Sequence, residues 1–401
     1  MSTFSKWQEE YKLLEAKLAE RGIDVSKVRR ALKSQHVEVP SWGFGDSGTR
    51  FAVFRQPGVA RNVWEKLADA QQVHKFTGIT PSVALHIPWD TVDDYRKLKS
   101  HARQLGLQIG AINPNLFQEP EYQFGSICHP DARVRRKAVA HMLECVDIMK
   151  DTGSTILSLW FADGTNYPGQ DSIRERKHRA LDCLAEVHKR LTGRMRMLLE
   201  YKLFEPAFYH TDIADWGMSF AMCKRLGERA FVLVDTGHHP LGTNIEHIVA
   251  FLIDEGRLGG FHFNDKKYAD DDLMTGSIDP YQLFRIYHEL VSAEVDRRVK
   301  MNVAYMIDQS LNVEHKVEGM IQSVLNVQKA YAQALIVNRA ALAKAQRACN
   351  VVETQKVLRQ GYETDVEPLL ASVRVEMGLE PDPIAAFRTS GYAEKVVQER
   401  S

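Results

Sequence analysis

The sequence predicts an α/β protein whose core is a (β/α)₈ barrel of the TIM-barrel type, with N-terminal helices before it and a C-terminal helical extension after it. Short apolar segments rich in β-branched residues alternate with longer segments of helical periodicity, a pattern typical of parallel strands joined by right-handed crossover helices. Eight such strand segments are present. That number closes a barrel within the roughly 250–300 residues that this fold usually occupies.

The predicted strands are short, apolar and bounded by turn residues. In chain order they are "VEVPSWG" from Val37, "PSVALHI" from Pro81, "LQIGAIN" from Leu107, "TILSLWF" from Thr155, "RMLLEY" from Arg196, "FVLVD" from Phe231, "GGFHF" from Gly259 and "NVAYMID" from Asn302. The helices predicted between them cover Val59 to Phe76, Thr91 to Leu105, Ala132 to Lys150, Ser172 to Leu191, Asp212 to Leu226, Asn244 to Glu255 and Pro280 to Ala293.

Helical extensions are predicted on both sides of the barrel, which itself covers residues 36–312. Residues 1–35 are expected to form two helices. Residues 313–401 begin with one long predicted helix, "KVEGMIQSVLNVQKAYAQALIVNRAALAKAQRA", and continue with shorter helices around Pro368 and Pro383. Nothing in this extension has the pattern of a reactive site, so we expect it to pack on the barrel or on a neighbouring subunit.

A doubly wound open sheet is the alternative architecture, and one motif favours it. "GFGDSG", from Gly43 to Gly48, matches the G-x-G-x-x-G pattern of dinucleotide-binding folds just after the first strand. That pattern holds a pyrophosphate only if a helix begins within it. The following "TRFAVFRQPG" instead predicts an extended loop closed by a Pro-Gly turn, so we interpret the motif as a glycine-rich loop.

Charge and hydropathy argue against several classes of partner. The 52 basic and 52 acidic side chains leave no net charge, whereas nucleic-acid binders usually have a basic surplus. No apolar run approaches the ~20 residues that cross a bilayer, and the N-terminus predicts a charge-rich amphipathic helix instead of a signal peptide. The five cysteines are widely spaced without a CxxC pattern, which indicates reduced thiols. We expect a cytoplasmic protein with no nucleic-acid or membrane partner.

Polar side chains concentrate where the last four predicted strands end. The carboxyl ends of the strands form the rim on which the active sites of this fold lie. In strand order these side chains are Glu200 and Lys202, then Asp235 and His238, then His262 with Asp270 and Asp272 in the loop after it, and finally Asp308. A single acid at a strand end is more often a helix cap or an ion-pair partner, so the inference depends on all four strands together.

Five carboxylates that converge on one partly buried mouth repel one another, and burying an unpaired anion is very costly. Divalent cations resolve this conflict. Oxygen ligands with one or two imidazoles suit Mn²⁺, Mg²⁺ or Co²⁺, while the absence of cysteine from the cluster argues against structural zinc. The sequence therefore predicts a metal centre on this rim.

The spacing of the ligands suggests two cations. One could be surrounded by the residues at the strand ends, Glu200, Asp235, His262 and Asp308. A second could be held farther out by His238, Asp270 and Asp272, because Asp270 and Asp272 face the same way if their loop is extended. Asp271 would then face the solvent, and Asp265 is interpreted as a turn residue.

A set of motifs, "SWGFGDSGTRF", "LHIPWD", "DGTNYPGQ", "FEPAFY", "LVDTGHH", "GGFHFND" and "MIDQS", closely resembles those of the broad-specificity bacterial L-rhamnose isomerases, members of the xylose-isomerase-like barrels. The resemblance runs from roughly Ser5 to Tyr392. It implies an aldose–ketose isomerase that interconverts L-rhamnose and L-rhamnulose and accepts other aldoses, such as L-mannose, L-lyxose or D-allose. It also implies a homotetramer with two divalent cations per subunit, most often Mn²⁺, with Co²⁺ or Mg²⁺ as alternatives.

The resemblance also assigns the ligands. Glu200, Asp235, His262 and Asp308 match the ligands of a structural cation, and His238, Asp270 and Asp272 match those of a catalytic cation. Tyr201 departs from the pattern, because close relatives can carry His at this position. Both of its neighbours, Glu200 and Lys202, are intact.

Isomerisation moves hydrogen between C1 and C2, and we expect it to move as a hydride. This shift requires that both sugar oxygens be held and polarised, a task suited to two Lewis acids. We assign proton transfer to Asp308 together with a bound water, and the holding of a substrate oxygen to Lys202. His86, at the end of the second strand, would assist opening of the sugar ring. The alternative for His86 is a buried histidine hydrogen-bonded to a carboxylate.

Aromatic residues follow other strand ends. Trp42, Phe117 and Trp160 could form an apolar wall against the carbon face of the sugar, although such residues are equally often simple core. By the resemblance alone, the loop near Phe51 and Phe54 would reach the pocket of a neighbouring subunit.

Other functions are possible on the same barrel. A ketose 3-epimerase needs one cation and two acids placed as bases on both faces of C3, so the second ligand set would be surplus. A metal-dependent endonuclease for abasic DNA should have a basic surface that follows the DNA, which the neutral charge disfavours. A sugar-binding protein without catalysis would not need seven ligands.

Overall fold

The computed structural model of the chain describes residues 3–49, 52–205, 209–296 and 298–400. Eight parallel strands close into one barrel, each paired with its neighbours in the chain and the first with the last. They are β1 (Glu38–Pro40), β2 (Ser82–Ile87), β3 (Gln108–Pro114), β4 (Ile156–Leu159), β5 (Arg196–Glu200), β6 (Ala230–Asp235), β7 (Leu258–Phe263) and β8 (Ala304–Ile307). The predicted barrel and its eight strands are confirmed.

Helices precede, surround and follow the barrel. The N-terminal pair is α1 (Thr3–Glu20) and α2 (Val25–Lys33). The helices between successive strands are α3 (Val63–Thr77), α4 (Tyr95–Gln104), α5 (Ala132–Thr152), α6 (Ile173–His188), α7 (Trp216–Leu226), α8 (Ile245–Asp254) and α9 (Pro280–Val295). After β8 come α10 (Lys316–Leu335), α11 (Arg339–Arg347), α12 (Val351–Glu363), α13 (Glu367–Glu376), α14 (Pro383–Thr389) and α15 (Tyr392–Arg400).

Side-chain caps set the starts of the helices around the barrel. Each of α3 to α9 follows a residue whose side chain accepts a backbone N–H of the first turn; these residues are Asn62, Asp94, Asp131, Ser172, Asp215, Asn244 and Asp279. All seven predicted helices exist. The predicted starts at Val59, Thr91 and Asp212 are each four residues early, because the caps lie within the predicted segments.

The single long helix expected after the barrel is wrong, because it is divided into α10 and α11. The Asn338 side chain accepts the N–H of Ala341 and so begins a new helix. Its amide Nδ2 also donates to the carbonyl of Arg21 at 2.9 Å, which fastens the break to the loop after α1. In the same helical extensions α1 packs on α13, and α10 packs on α3 and α9.

The glycine-rich motif does not begin an α-helix. Ser41–Phe44 forms one turn of 3₁₀ helix, and Ser47–Thr49 pairs antiparallel with Ala52–Phe54. Within residues 41–49 the backbone therefore has no helix N-terminus of the kind that binds a pyrophosphate. The interpretation of the motif as a loop holds, and the barrel excludes the doubly wound alternative.

A buried carboxyl group lies inside the amino-terminal part of the barrel. Glu38 accepts hydrogen bonds from the Ala111 N–H at 2.9 Å and from the Ser82 hydroxyl at 2.8 Å. A Cβ at Gly110 would lie 1.5 Å from the Glu38 carboxylate, so only glycine leaves room for that side chain.

Among the helices of the described residues, none combines the length and the apolar character that spanning a membrane requires.

The last helix is fastened to α3 by a buried ion pair. Arg400 donates from both Nη atoms to the Asp69 carboxylate at 2.8 and 2.9 Å, and the Tyr392 hydroxyl donates to the same group at 2.6 Å. The side chain of Arg400 is 5% exposed and that of Asp69 is 3% exposed. Removing either partner would leave a buried charge unpaired.

We therefore expect Arg400→Met to lower the free energy of unfolding by about 3–5 kcal/mol. Arg388→Met is the matched control: Arg388 pairs with Glu318 at the surface, its side chain is 66% exposed, and its loss should cost less than about 1 kcal/mol. Urea unfolding followed by circular dichroism gives both values. Equal effects of the two substitutions would contradict the role assigned to the buried pair.

Candidate active site and metal centre

A pocket of about 180 Å³ opens at the carboxyl ends of the barrel strands. The half formed by β5 to β8 and the loops after them is polar, with Glu200, Lys202, His238, His262, Asp270, Asp272 and Asp308. The half formed after β1 to β4 is mainly aromatic, with Trp42, His86, Trp89, Phe117 and Trp160. Asp235 is 1% exposed and lies beneath the polar half. The structure thus brings all the site residues predicted from the sequence to one end of the barrel.

Four side chains from four adjacent strands form the first group of possible cation ligands. One ligand atom from each lies within 4.8 Å of the others in the set Glu200, Asp235, His262 and Asp308. The His262 Nδ1 atom is 3.0 Å from Asp308 Oδ2, 3.2 Å from Glu200 Oε2 and 4.0 Å from Asp235 Oδ2. Neither ring nitrogen of this buried histidine has a hydrogen-bond partner in good geometry. The His262 imidazole is surrounded by carboxylates but makes no hydrogen bond to them. A cation bound by both the imidazole and the carboxylates would satisfy these groups.

A second group overlaps the first. Asp235, His238 and Asp270 also place ligand atoms within 4.8 Å of one another. The His238 Nε2 atom is 3.1 Å from Asp270 Oδ1 and 4.0 Å from Asp235 Oδ2. Asp235 therefore belongs to both groups, whereas the sequence assigned it to one.

Asp272 lines the pocket beside Asp270 but lies outside the second group. The expectation of an extended loop is wrong, because Asp272 has a φ of 48° in the left-handed region. Asp270 and Asp272 both line the pocket because the loop turns at Asp272. The alternation of side chains along an extended segment is not the reason. In this turn the Asp271 carboxylate accepts hydrogen bonds from the backbone N–H groups of Lys267 and Tyr268, which precede it in the sequence.

Two residues that were not predicted as site residues, Tyr201 and Asn264, orient the ligands. The Tyr201 carbonyl lies 3.0 Å from His238 Nδ1, which must be the donor, so Nε2 remains free as a ligand atom. Asn264 donates from Nδ2 to both oxygens of Asp235 at 3.0 and 3.1 Å. Asn264 follows His262 by two residues, and the period of a strand could have indicated that the two side chains share a face. Asp265, interpreted as a turn residue, accepts the N–H groups of Ile278 and Asp279.

The electrostatics of the pocket fit divalent cations. Burial, reinforced by Glu200 and Asp270 and opposed by His238, raises the pKa of Asp235 to about 7. Burial and neighbouring carboxylates also raise the pKa of Asp272. Both shifts favour the protonated form, because burial disfavours the charged carboxylate and neighbouring negative charges reinforce that effect. The set of oxygen and imidazole donors, without thiolate, suits Mn²⁺, Mg²⁺ or Co²⁺.

Lys202 lies between two acids at the edge of the aromatic half. Its Nζ donates to Asp270 Oδ2 at 2.6 Å and to Glu205 Oε2 at 2.8 Å, and it lies 4.9 Å from the centre of the Trp160 ring. Although burial opposes its charged form, these two carboxylates raise the pKa of Lys202. Lys202 is thus a permanent cation that holds Asp270 in place.

The aromatic half is built around His86. Its ring stacks on Trp89 with centroids 3.9 Å apart and meets the edge of Trp42 at 5.5 Å, while Phe117 and Trp160 meet at 4.8 Å. Burial, assisted by nearby Lys66, lowers the pKa of His86 to about 3, so its imidazole is neutral. Its Nδ1 has no hydrogen-bond partner, and no carboxylate bonds to its ring within the described residues. The alternative of a carboxylate-bonded core histidine is therefore wrong.

Ser158, Asn113 and Trp89 also line the pocket and were not predicted. The Ser158 hydroxyl and the Trp160 Nε1 are buried without hydrogen-bond partners. Ser158 lies two residues before Trp160, so the period of a strand would have indicated it. Of the loop expected to reach another subunit, Phe54 is 52% exposed, and Phe51 lies outside the described residues.

Sequence comparisons find relatives over almost the whole chain. A family model described as xylose isomerase-like TIM barrel matches residues 68–301. A probable sugar isomerase of Rhizobium meliloti (strain 1021) is 46% identical over 98% of this chain and 92% of its own length. Another, of Mesorhizobium japonicum, is 44% identical over the same shares of the two chains.

Solved structures share the fold at much lower identity. An L-ribulose 3-epimerase superposes with a TM-score of 0.53 at 14% identity, covering 82% of this chain and 97% of that one. A D-allulose 3-epimerase from Methylomonas sp. has a TM-score of 0.55 at 13% identity, covering 74% and 98%. The family model covers more than half of the sequence, and the rhizobial relatives match it nearly end to end. The chain therefore belongs to the xylose isomerase-like TIM-barrel family.

Proposed function

We propose that the protein is a metal-dependent aldose–ketose isomerase, with L-rhamnose and L-rhamnulose as the first candidate pair. The observation that carries this proposal is the pair of overlapping ligand groups, which share Asp235, beside a small pocket with an aromatic wall. The names of the rhizobial relatives support an isomerase acting on sugars. The motif resemblance to L-rhamnose isomerases supports the choice of substrate, with L-mannose, L-lyxose and D-allose as further candidates.

Two divalent cations per subunit, Mn²⁺ in the first instance and Co²⁺ or Mg²⁺ as alternatives, complete this site. One would be held by Glu200, Asp235, His262 and Asp308, and the other by Asp235, His238 and Asp270 with Asp272 beside them. Cations bound there supply Lewis-acid polarisation of the two sugar oxygens on C1 and C2.

Asp308 is the proposed proton-transfer group. Its Oδ1 accepts the Trp42 indole N–H at 2.7 Å, which fixes the plane of the carboxylate. Its position in the pocket allows it to accept or return a proton at the substrate O1 or O2. Lys202 has three N–H groups, of which two are used by Asp270 and Glu205, so the third remains for a substrate oxygen.

The opposite wall binds and orients the sugar. Trp42, Phe117 and Trp160 present apolar rings to the carbon face and exclude water. The neutral His86 lines the pocket, so its imidazole can exchange a proton with the ring oxygen during ring opening. The free hydroxyl of Ser158 is suited to a sugar hydroxyl.

From the motif resemblance to L-rhamnose isomerases we also expect a cytoplasmic homotetramer. Light scattering after gel filtration would test the oligomeric state.

An aldose panel with controlled metal content tests the function. Protein stripped with EDTA should convert no aldose, and Mn²⁺ should restore ketose formation from L-rhamnose, because the carboxylates cannot hold two sugar oxygens without cations. Chromatography of the products measures both. Interconversion of two ketoses without aldose would indicate a 3-epimerase, and salt-dependent retention on DNA would indicate the endonuclease. Full activity after complete chelation would contradict the proposed metal centre.

Asp308→Asn should lower kcat by about 10²–10⁴-fold, since the amide cannot accept the proton. Asp271→Asn is the matched control, because Asp271 stands in the adjacent loop and bonds only to backbone N–H groups there. Circular dichroism and metal analysis of both variants exclude loss of fold or cation. Wild-type turnover by Asp308→Asn would refute the assignment.

Cation affinity should fall as the pH falls. Despite burial, neighbouring carboxylates raise the pKa of His238 and His262, and the pKa of Asp235 is about 7. These groups carry protons at lower pH, and each must lose its proton before it can bind a cation. Titration with Mn²⁺, monitored by electron paramagnetic resonance, measures the Kd at each pH. The Kd should rise about tenfold for each unit by which the pH is lowered, for each proton that the cation displaces. A Kd independent of pH between 6 and 8 would contradict this coupling.

A further inference from the structure

A second, larger cavity lies at the opposite end of the barrel from the pocket. Its volume is about 810 Å³, within the range of small-molecule sites. Its wall includes the amino-terminal residues of several strands, among them Gln108 of β3 and Arg196 of β5, together with Tyr287 of α9 and Tyr331 of α10. None of these residues takes part in the proposed isomerase site.

Arg196 is a buried cation in this wall that has no acidic partner. It is 7% exposed, and among the described residues no carboxylate contributes to its pKa shift, which burial alone causes. One Nη atom donates to the carbonyl of Asn302, and the guanidinium lies 5.7 Å from the centre of the Phe231 ring. Its other N–H groups have no protein partner among the described residues and are not closed off from solvent, so they are open to the cavity. Burial lowers the pKa of this guanidinium to about 10, which leaves it charged at neutral pH. Buried charges are normally paired.

The acidic groups of the cavity are occupied elsewhere. Glu38 is satisfied by Ala111 and Ser82, as described above, and Glu294 accepts the hydroxyl of Tyr331 at 3.0 Å. Burial raises the pKa of both carboxyl groups. Arg194, an exposed residue in the same wall, adds a second cation. The positive charge at Arg196 is therefore left to be balanced by something other than these acids.

We propose that this cavity binds an oxyanion, a carboxylate or phosphate group of a small metabolite, with the Arg196 guanidinium as its main contact. The planar fork of guanidinium N–H groups matches both oxyanions, and the bond is strong because both partners are charged. The tyrosine side chains of Tyr287, Tyr305 and Tyr331 line the same cavity and suit the uncharged remainder of such a ligand. This inference does not depend on the proposed isomerase activity.

Isothermal titration calorimetry of the full-length, metal-loaded protein tests the inference, with inorganic phosphate and malonate as separate probes. At least one probe should bind with saturation, and the stronger one identifies the oxyanion. Arg196→Met should weaken that binding about tenfold or more, the effect of losing a charge-assisted hydrogen bond. Repetition after removal of metal by EDTA should leave the binding unchanged, which separates it from the metal centre.

Arg257→Met is the matched control. Arg257 also lies over the Phe231 ring, at 5.8 Å, and also donates to backbone carbonyls, but it does not line the cavity. Its replacement should leave binding intact. Thr155→Phe narrows the cavity without removing a charge, and it carries the test if Arg196→Met does not fold. No saturable binding of either probe, or binding that Arg196→Met and Thr155→Phe leave unchanged, would overturn the proposal.

Discussion

Mutual repulsion among buried carboxylates at one end of the barrel is the constraint on which the site depends. The strand ends of β5, β6 and β8 and the loop after β7 place these groups close together, where burial and the neighbouring carboxylates raise the pKa of Asp235 to about 7. The surrounding contacts each reduce or direct this repulsion. Lys202 holds Asp270, Asn264 donates to Asp235, and two imidazoles lie between the acids. The chain alone leaves the charge incompletely balanced, which is the physical reason for assigning divalent cations to it.

Most of the fold could be predicted because its determinants are local. Alternation of apolar strands with helical segments predicts the eight-stranded barrel, and side chains such as Asn244 and Ser172 mark helix starts through contacts within one turn. The break between α10 and α11 was missed because it depends on a distant contact, the bond from Asn338 to the carbonyl of Arg21. Helical periodicity continues across that point, so no local signal opposes a single helix.

The candidate site was predictable to the extent that strand ends determine it. Glu200, Asp235, His262 and Asp308 could be grouped because parallel strands bring their carboxyl ends together. The position of Asp235 in both ligand groups and the left-handed backbone at Asp272 could not, since they depend on how a loop folds over the rim. The stacking of His86 on Trp89 and the cavity around Arg196 likewise result from packing between segments far apart in sequence. A strand-initial arginine is usually a surface residue, so the sequence carries no sign that Arg196 is buried.

Anomalous X-ray diffraction at the manganese absorption edge, from crystals of the protein grown with saturating Mn²⁺, tests the central claim most directly. We expect two anomalous peaks per subunit, one among Glu200, Asp235, His262 and Asp308, and one among Asp235, His238 and Asp270. Crystals that show no anomalous peak among these side chains, with the carboxylates instead paired to one another through protons, would contradict it.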